Sequence, residues 1–462
     1  MRPTVPIVAI WKLKIVVYLS SEYKPIKQEM KTNLISFLLL LAMNYAGFSQ
    51  AVKVRVYPEI LKQKIESIGG NYCQANYTSH AWDAIGEATL SEFRPSHVRL
   101  ALPLQFEKQS YESYEGKKIV EQPTVITLLE AMKRMKTEFG VSNFTISVWR
   151  VANELVSNPE KDSQRRIKPE KYDELINMIE AFLLTAKNKY GVEADYFSFN
   201  ESDGGYQVIF SPEETIAFFK KAGERFRKAG LKTKFLWADT AQTKGTVEFA
   251  TMIAADSTIW KYLGPLCFHS WWSENIPDSE FERIANYAKA WNKPVWCSEL
   301  GFDAMSWRTK GMNESWDYAF RFAKISHRMM KYAEVEVSMY WTWQNNYGIM
   351  SADTKTKFPS YYVTRHYTDF LNSGIQLFHS ISSDPEILSI CGINSQGKNV
   401  IQIINLKNNK VTVEIDGVVG NLSKSVTTTQ NENWKEGEIQ LKTKNENKEV
   451  TLQPKSLNTL VF

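Results

Sequence analysis

Histidine and cysteine are scarce in this 462-residue chain, with six and four residues, and neither type clusters. The histidines, at 80, 97, 269, 327, 366 and 379, make no HxH or HExxH pattern. The cysteines, Cys73, Cys267, Cys297 and Cys391, make no CxxC pair. These absences weigh against a metal-dependent hydrolase and against thiol redox chemistry, so neither a metal nor a cofactor is expected. Cys267 and Cys297 fall inside apolar β-type runs and read as small buried hydrophobes. A disulfide is permitted in an exported chain, but nothing in the spacing demands one.

Long apolar runs are missing too, and so is a charge imbalance. No segment reaches the roughly 20 apolar residues that a membrane-spanning helix needs. The formal charge of +5 is concentrated at the front, where residues 1–49 hold six Lys/Arg against the two acids Glu22 and Glu29. The remainder is nearly neutral and has no electrostatic footprint for nucleic acid or anionic lipid.

The basic front has its own explanation. Met30-Lys31 is followed by an apolar stretch from Leu34 to Ala42 and then by Ala46, Gly47 and Ser49. This is the order of a secretory signal peptide, with cleavage expected after Ser49. Residues 1–29 then read as upstream sequence, 30–49 as the signal peptide, and the mature protein as secreted or periplasmic. No cysteine follows the apolar core, so a lipid anchor is not expected, and a soluble monomer is the expectation.

What the chain has is apolar mass and tryptophan: 43% hydrophobic residues and 14 Trp, enough for a large core with flat indole faces to spare. From residue 51 to 365, short β-rich runs alternate with helical patterns. Eight strands are predicted: Lys64 to Gly69, His97 to Leu102, Asn143 to Trp149, Tyr196 to Asn200, Lys234 to Ala238, Pro265 to His269, Pro294 to Ser298 and Val337 to Trp343. Helices are predicted between them at Pro169 to Lys189, Pro212 to Lys228 and Ser279 to Asn292. Eight such units imply an α/β fold, a (β/α)8 TIM barrel over residues 65–370. Beyond residue 371 the pattern changes to short alternating strands and turns, which predicts a C-terminal β-sandwich over 371–462, including a strand at Glu438 to Thr443. Residues 50–64 alternate in the same way and are expected to add a strand to that sandwich.

Two predicted strands end in carboxylates. Tyr196-Phe-Ser-Phe runs into Asn200-Glu201, and Pro294-Val-Trp-Cys-Ser runs into Glu299. Asn-Glu occurs five times, at 153, 200, 313, 431 and 445, so the dipeptide alone says little. Only Asn200-Glu201 closes an aromatic β-run and opens onto a Gly-rich turn; Glu154 is its main rival. In a parallel barrel the C-terminal strand ends form the catalytic face. Two carboxyls facing one another there can hydrolyse a glycosidic bond, one donating a proton and the other attacking. Glu201 beside its turn suits the donor and Glu299 the nucleophile, against the plainer alternative of a salt bridge from Glu299 to Arg99.

At these residues the chain resembles the retaining glycosidases of clan A, most nearly glycoside hydrolase family 30. In that clan an Asn-Glu ending strand four supplies the acid/base and a Glu ending strand seven the nucleophile. Gln63-Lys-Ile-Glu-Ser-Ile-Gly-Gly70, Val54-Arg-Val-Tyr-Pro58 and the terminal Leu457-Asn-Thr-Leu-Val-Phe462 are similar to family 30, whose sandwich is built from both chain ends. The resemblance implies an oligosaccharide or polysaccharide substrate. It also implies supporting roles for Arg99 on strand two, Trp149 on strand three and Asn200 at the 2-hydroxyl, while His269 with Trp271 and Trp272 ends strand six, where a sugar site could use them or His269 could serve a structural hydrogen bond. Trp341 or Trp343 on strand eight would stack beneath the sugar. The alternative is a non-catalytic carbohydrate-binding protein on a degenerate barrel, which Ser202, in place of the usual proline, allows.

Overall fold

The computed structural model describes residues 51–73, 83–106, 117–344, 347–372, 374–444 and 447–462. The proposed signal peptide lies outside the described residues.

Eight parallel strands close into a barrel: Ser67–Asn71, His97–Ala101, Asn143–Val148, Tyr196–Phe199, Lys234–Thr240, Leu263–His269, Val295–Leu300 and Val335–Tyr340, with the last hydrogen-bonded to the first. They are numbered strands one to eight below. Helices fill the crossovers and cover the barrel with one extensive apolar core. The helix Pro212–Lys228 shows why local sequence suffices there. Ser211 caps it, Glu214 returns the bond to complete a capping box, and Pro212 occupies the first turn. The helix expected from Pro169 instead begins with a 3-10 turn, Pro169–Lys171, and becomes α-helical over Tyr172–Tyr190. Gly191 ends it in the left-handed conformation.

Strand one starts later than expected because Lys64 belongs to another element. Val52–Lys64 is one long strand that pairs antiparallel with Gln376–Ser382 and parallel with Val411–Asp416. It lies in the middle of a ten-stranded mixed sheet formed with the C-terminal strands. Val54, Ile403, Val413, Val450 and Leu460, from strands far apart in the sheet order, share one apolar core. The sheet therefore folds over on itself as a sandwich does.

Two of its strands, Gln376–Ser382 and Lys424–Thr428, were not expected from the sequence. The strand expected at Glu438 to Thr443 is replaced by two short ones, Lys435–Glu436 and Lys442–Lys444. Hydroxyl-rich strands give a weak apolar signal; Thr427 is buried because its Oγ1 donates to Asn458 Oδ1 at 2.9 Å.

The sandwich packs on the barrel's outer helices. His366, buried on the helix Pro359–Thr368, bonds Thr459 Oγ1 at 2.7 Å and Thr428 Oγ1 at 2.9 Å. Among the described residues no helix is long and apolar enough to cross a membrane.

Candidate active site

The C-terminal ends of strands two, four, five, six and seven converge on one buried charge network. Glu299 lies within strand seven, where register shifts interrupt pairing with both neighbours between Cys297 and the strand end. Such a bulge re-aims a side chain, here into the barrel mouth. Glu201 starts the turn after strand four with φ 47°, a conformation that a non-glycine residue adopts only when its surroundings hold it. The turn supplies that support. Gly204 and Gly205 donate backbone N–H bonds to the Glu201 carbonyl at 3.1 and 2.8 Å, and Ala241 N donates to Asp203 Oδ1 at 2.9 Å.

Arg99, on strand two and 0% exposed, is the hub. Its Nη1 donates to Glu299 Oε1 at 2.6 Å and to Asn71 Oδ1 at 3.1 Å. Its Nη2 donates to Asn200 Oδ1 at 2.7 Å and Ser147 Oγ at 3.0 Å, and lies 3.6 Å from Asp239 Oδ2. The guanidinium is also 4.7 Å from the centre of the Trp149 ring, which in turn packs 5.8 Å from Trp341. The planar fork matches several acceptors at once in a way a lysine cannot.

Glu299 has a second fixed donor, Trp271 Nε1, at 3.1 Å. Gly301 makes room for that indole, since a Cβ there would lie 2.3 Å from the ring. His269, at the end of strand six, stands between the two acids. Its Nδ1 is 3.0 Å from Glu201 Oε1 and 3.3 Å from Glu299 Oε2, while its Nε2 is 3.4 Å from Asp239 Oδ1. One oxygen of Glu201 and one of Glu299 lie within 4.8 Å of each other.

The electrostatics follow from burial opposed by charge. Burial alone would lower the His269 pKa, but Glu299, Asp239 and Glu201 raise it to about 10. Burial would raise that of Asp239, yet Arg99 and His269 hold it well below the carboxylate range. For Glu299 burial prevails and the pKa is raised, although His269 and Arg99 pull against it. Two cations thus face three carboxyls in one enclosed space. The donor atoms of Glu201, His269 and Glu299 are close enough to surround one metal ion. A protonated imidazole and the neighbouring Arg99 make the same atoms better suited to hydrogen bonding than to holding a cation.

The structure gathers Arg99, Trp149, Asn200, Glu201, His269, Trp271, Glu299 and Trp341 around this network. Trp271 faces Glu299 as a buried donor rather than presenting a face to solvent. Trp343 is corrected: it is 0% exposed and packs in the core, 5.7 Å from Tyr72 and 5.1 Å from Phe93. Its ring lies against Gly70, where a Cβ would come within 2.7 Å. The alternation that would place positions 341 and 343 on one face requires a continuous strand, and strand eight ends at Tyr340. Glu154 is exposed on the 3-10 turn Asn153–Leu155.

Sequence reasoning missed Asn71, Asp239 and Ser298 inside the network and Tyr206 beside it, whereas Trp272 was among its strand-end candidates. Tyr206 is 59% exposed and lies near enough to Glu201 and Glu299 to feel both charges. Trp272 is 49% exposed and is pinned by Nε1 to Asp303 Oδ1 at 3.1 Å. A polar residue one place past the expected end of strand five was the available signal for Asp239.

No protein-family model matches the chain, and no curated protein matches it in sequence. Solved structures do match in fold. A glycoside hydrolase family 30 subfamily 8 xylanase from Clostridium acetobutylicum superposes with a TM-score of 0.71 at 15% identity, over 88% of this chain and 99% of that one. A family 30 endoxylanase from Clostridium papyrosolvens gives 0.69 at 18% identity, with 88% and 99% coverage. An endo-β-1,6-glucanase gives 0.65 at 12% identity, with 88% and 94% coverage. At these identities the likeness is one of fold: the barrel and its two-ended β-domain are arranged as in family 30 structures.

Proposed function

We propose that this chain is an exported retaining β-glycoside hydrolase, with Glu299 as nucleophile and Glu201 as acid/base. The observation that carries the reading is the close approach of two strand-end carboxyls, with oxygens within 4.8 Å. Carboxyl pairs about 5–5.5 Å apart serve retention, whereas inversion needs a wider gap for a water molecule.

In the first step a Glu299 oxygen attacks the anomeric carbon while Glu201 gives its proton to the departing glycosidic oxygen, leaving a glycosyl ester on Glu299. In the second, water attacks that carbon, Glu201 takes the water proton, and the Glu299–carbon bond breaks. The donors support these roles. Glu299 receives Arg99 and Trp271, two charge-stabilising bonds suited to an anion that attacks and later leaves. Glu201, on a turn and more open than Glu299, can reach both leaving group and water. Trp341 and Trp149 offer aromatic surface beside the pair, and Asn200 is locked by Arg99 within the same site.

The solved structures that this fold resembles include two enzymes named as xylanases and one as an endo-β-1,6-glucanase, so xylan and β-glucan are the first polymers to test. The decisive experiment uses aryl β-glycosides. Glu299→Ala should abolish turnover, and azide should restore it with an inverted glycosyl azide product. Wild-type-like activity in Glu299→Ala sinks the reading. Polysaccharide retention by the wild type without turnover of any glycoside points instead to a binding protein.

A further inference from the structure

Asp239 is a buried acid with no part in the double displacement above, and the chain goes to unusual lengths to place it. It is 1% exposed at the end of strand five. Both Ala238 and Asp239 have left-handed backbones, φ 78° and 47°, although neither is glycine. The pairing of strand five with strand six shifts register at this point, between Ala238 and Thr240. A bulge with two such residues is strained and persists only where its surroundings hold it.

The result is to turn the carboxylate inward. Ser298 Oγ, on strand seven, donates to Asp239 Oδ1. Arg99 Nη2 is 3.6 Å from Oδ2, and His269 Nε2 is 3.4 Å from Oδ1. Carboxylates thus stand on both sides of the His269 ring, with a hydrogen bond at Nδ1 and charge proximity alone at Nε2. The charged groups facing its ring are Glu201 and Asp203 from the turn after strand four, Asp239 from strand five and Glu299 from strand seven; Arg99 from strand two pairs with the last two.

We propose that Asp239 is a positioning residue: its carboxylate, 3.4 Å from Nε2 of His269 and acting through charge rather than a hydrogen bond, holds the imidazolium with Nδ1–H in the gap between Glu201 and Glu299. There the imidazole donates to whichever carboxyl is charged at each half of the reaction. The geometry suits a shared donor, with Nδ1 almost equidistant from the two oxygens at 3.0 and 3.3 Å. Before attack the negative charge is on Glu299; in the glycosyl ester it is on Glu201. The bond from Nδ1–H follows the charge with a small tilt of the ring, and no proton leaves the imidazole. This rests on the two-carboxylate reading above.

The test pairs a substrate-free readout with kinetics. With ¹³C-labelled histidine, the His269 resonance, identified by its loss in His269→Asn, should titrate as a protonated ring up to about pH 9 in the wild type. Asp239→Asn keeps the shape but not the charge, and should lower that pKa by about two units. On the aryl β-glycoside that the wild type cleaves, kcat should fall about a hundredfold with KM little changed. A neutral His269 at about pH 7.5 in the wild type overturns the proposal, even if Asp239→Asn does not fold. So does an Asp239→Asn enzyme with unchanged titration and unchanged kcat. Activity in Glu299→Ala would overturn the hydrolase reading instead, and the substrate-free titration would still decide the role of Asp239.

Discussion

Arg99 Nη1 lies 2.6 Å from Glu299 Oε1, an ion pair between two side chains with essentially no solvent contact. The plain alternative to catalysis for Glu299, a salt bridge to Arg99, is thus present within the candidate site. The two readings are compatible, because a buried carboxylate can remain charged only beside such a partner.

Removing the guanidinium should therefore damage both fold and chemistry. Arg99→Met leaves Glu299 and Asp239 without their cation and is expected to cost about 3–5 kcal/mol. Arg99→Lys keeps the charge but loses the fork that reaches Asn71, Ser147 and Asn200 together. It should stay folded with activity reduced at least about a hundredfold. Urea denaturation and glycoside turnover check both, and wild-type activity in Arg99→Lys would contradict the assignment.

Trp271 and Gly301 should behave as one unit. Trp271→Phe removes a bond to a charged oxygen worth about 1.5–3 kcal/mol. If that bond strengthens the nucleophile's anionic form, kcat/KM falls roughly ten- to a hundredfold. Gly301→Ala pushes the same ring aside, since the new Cβ would meet it at 2.3 Å. Steady-state kinetics on both should show similar losses, and combining them should add little; additive losses would show that Gly301 acts through something else.

The two tryptophans after strand eight should separate cleanly. Trp343→Ala opens a cavity in the core and is expected to destabilise the protein by about 3–5 kcal/mol. Trp341→Ala removes a partly exposed face beside Trp149, and should change the unfolding midpoint little while raising KM for glycans. Thermal unfolding together with binding of xylo- or gluco-oligosaccharides distinguishes them. The reverse pattern would overturn the placement of both rings.

His366 should shape stability in acid. Burial lowers its pKa in the folded protein to about 3, against about 6.5 when unfolded. Between these values the unfolded chain takes up a proton that the folded chain refuses, so stability falls as pH drops through this window, by up to about 1.4 kcal/mol per pH unit. Above about pH 6.5 the residue contributes no pH dependence. His366→Gln can still bond the Thr428 and Thr459 hydroxyls but cannot titrate. Urea midpoints measured from about pH 7 to 4.5 should fall less steeply in the variant; parallel slopes would refute the account.

Much of the barrel was legible because its signal is local. The alternation of apolar β-runs with capped helices gave eight strands, each displaced by at most a few residues. The long strand Val52–Lys64 shows where that signal fails: Lys64 looks like the start of the barrel but pairs with Gln376, a partner known only once the chain is folded. Gln376–Ser382 and Lys424–Thr428 were invisible for a related reason, since their buried polar groups are paired across the sheet rather than along the chain.

The candidate site divides in the same way. Sequence alone placed Glu201 and Glu299 at strand ends, because an apolar β-run closing in an acid before a turn is a local pattern. It also selected Arg99 through resemblance, and His269 and Trp271 through their place at the end of strand six. It could not place Asp239 in the network, orient Trp271 toward Glu299, or bury Trp343. Those depend on bulges, on left-handed backbone at strand ends, and on a glycine's missing Cβ across the barrel. Such features are fixed by closure of eight strands around a shared core, so only tertiary structure decided which polar groups meet, at what distance, and with which charges opposed.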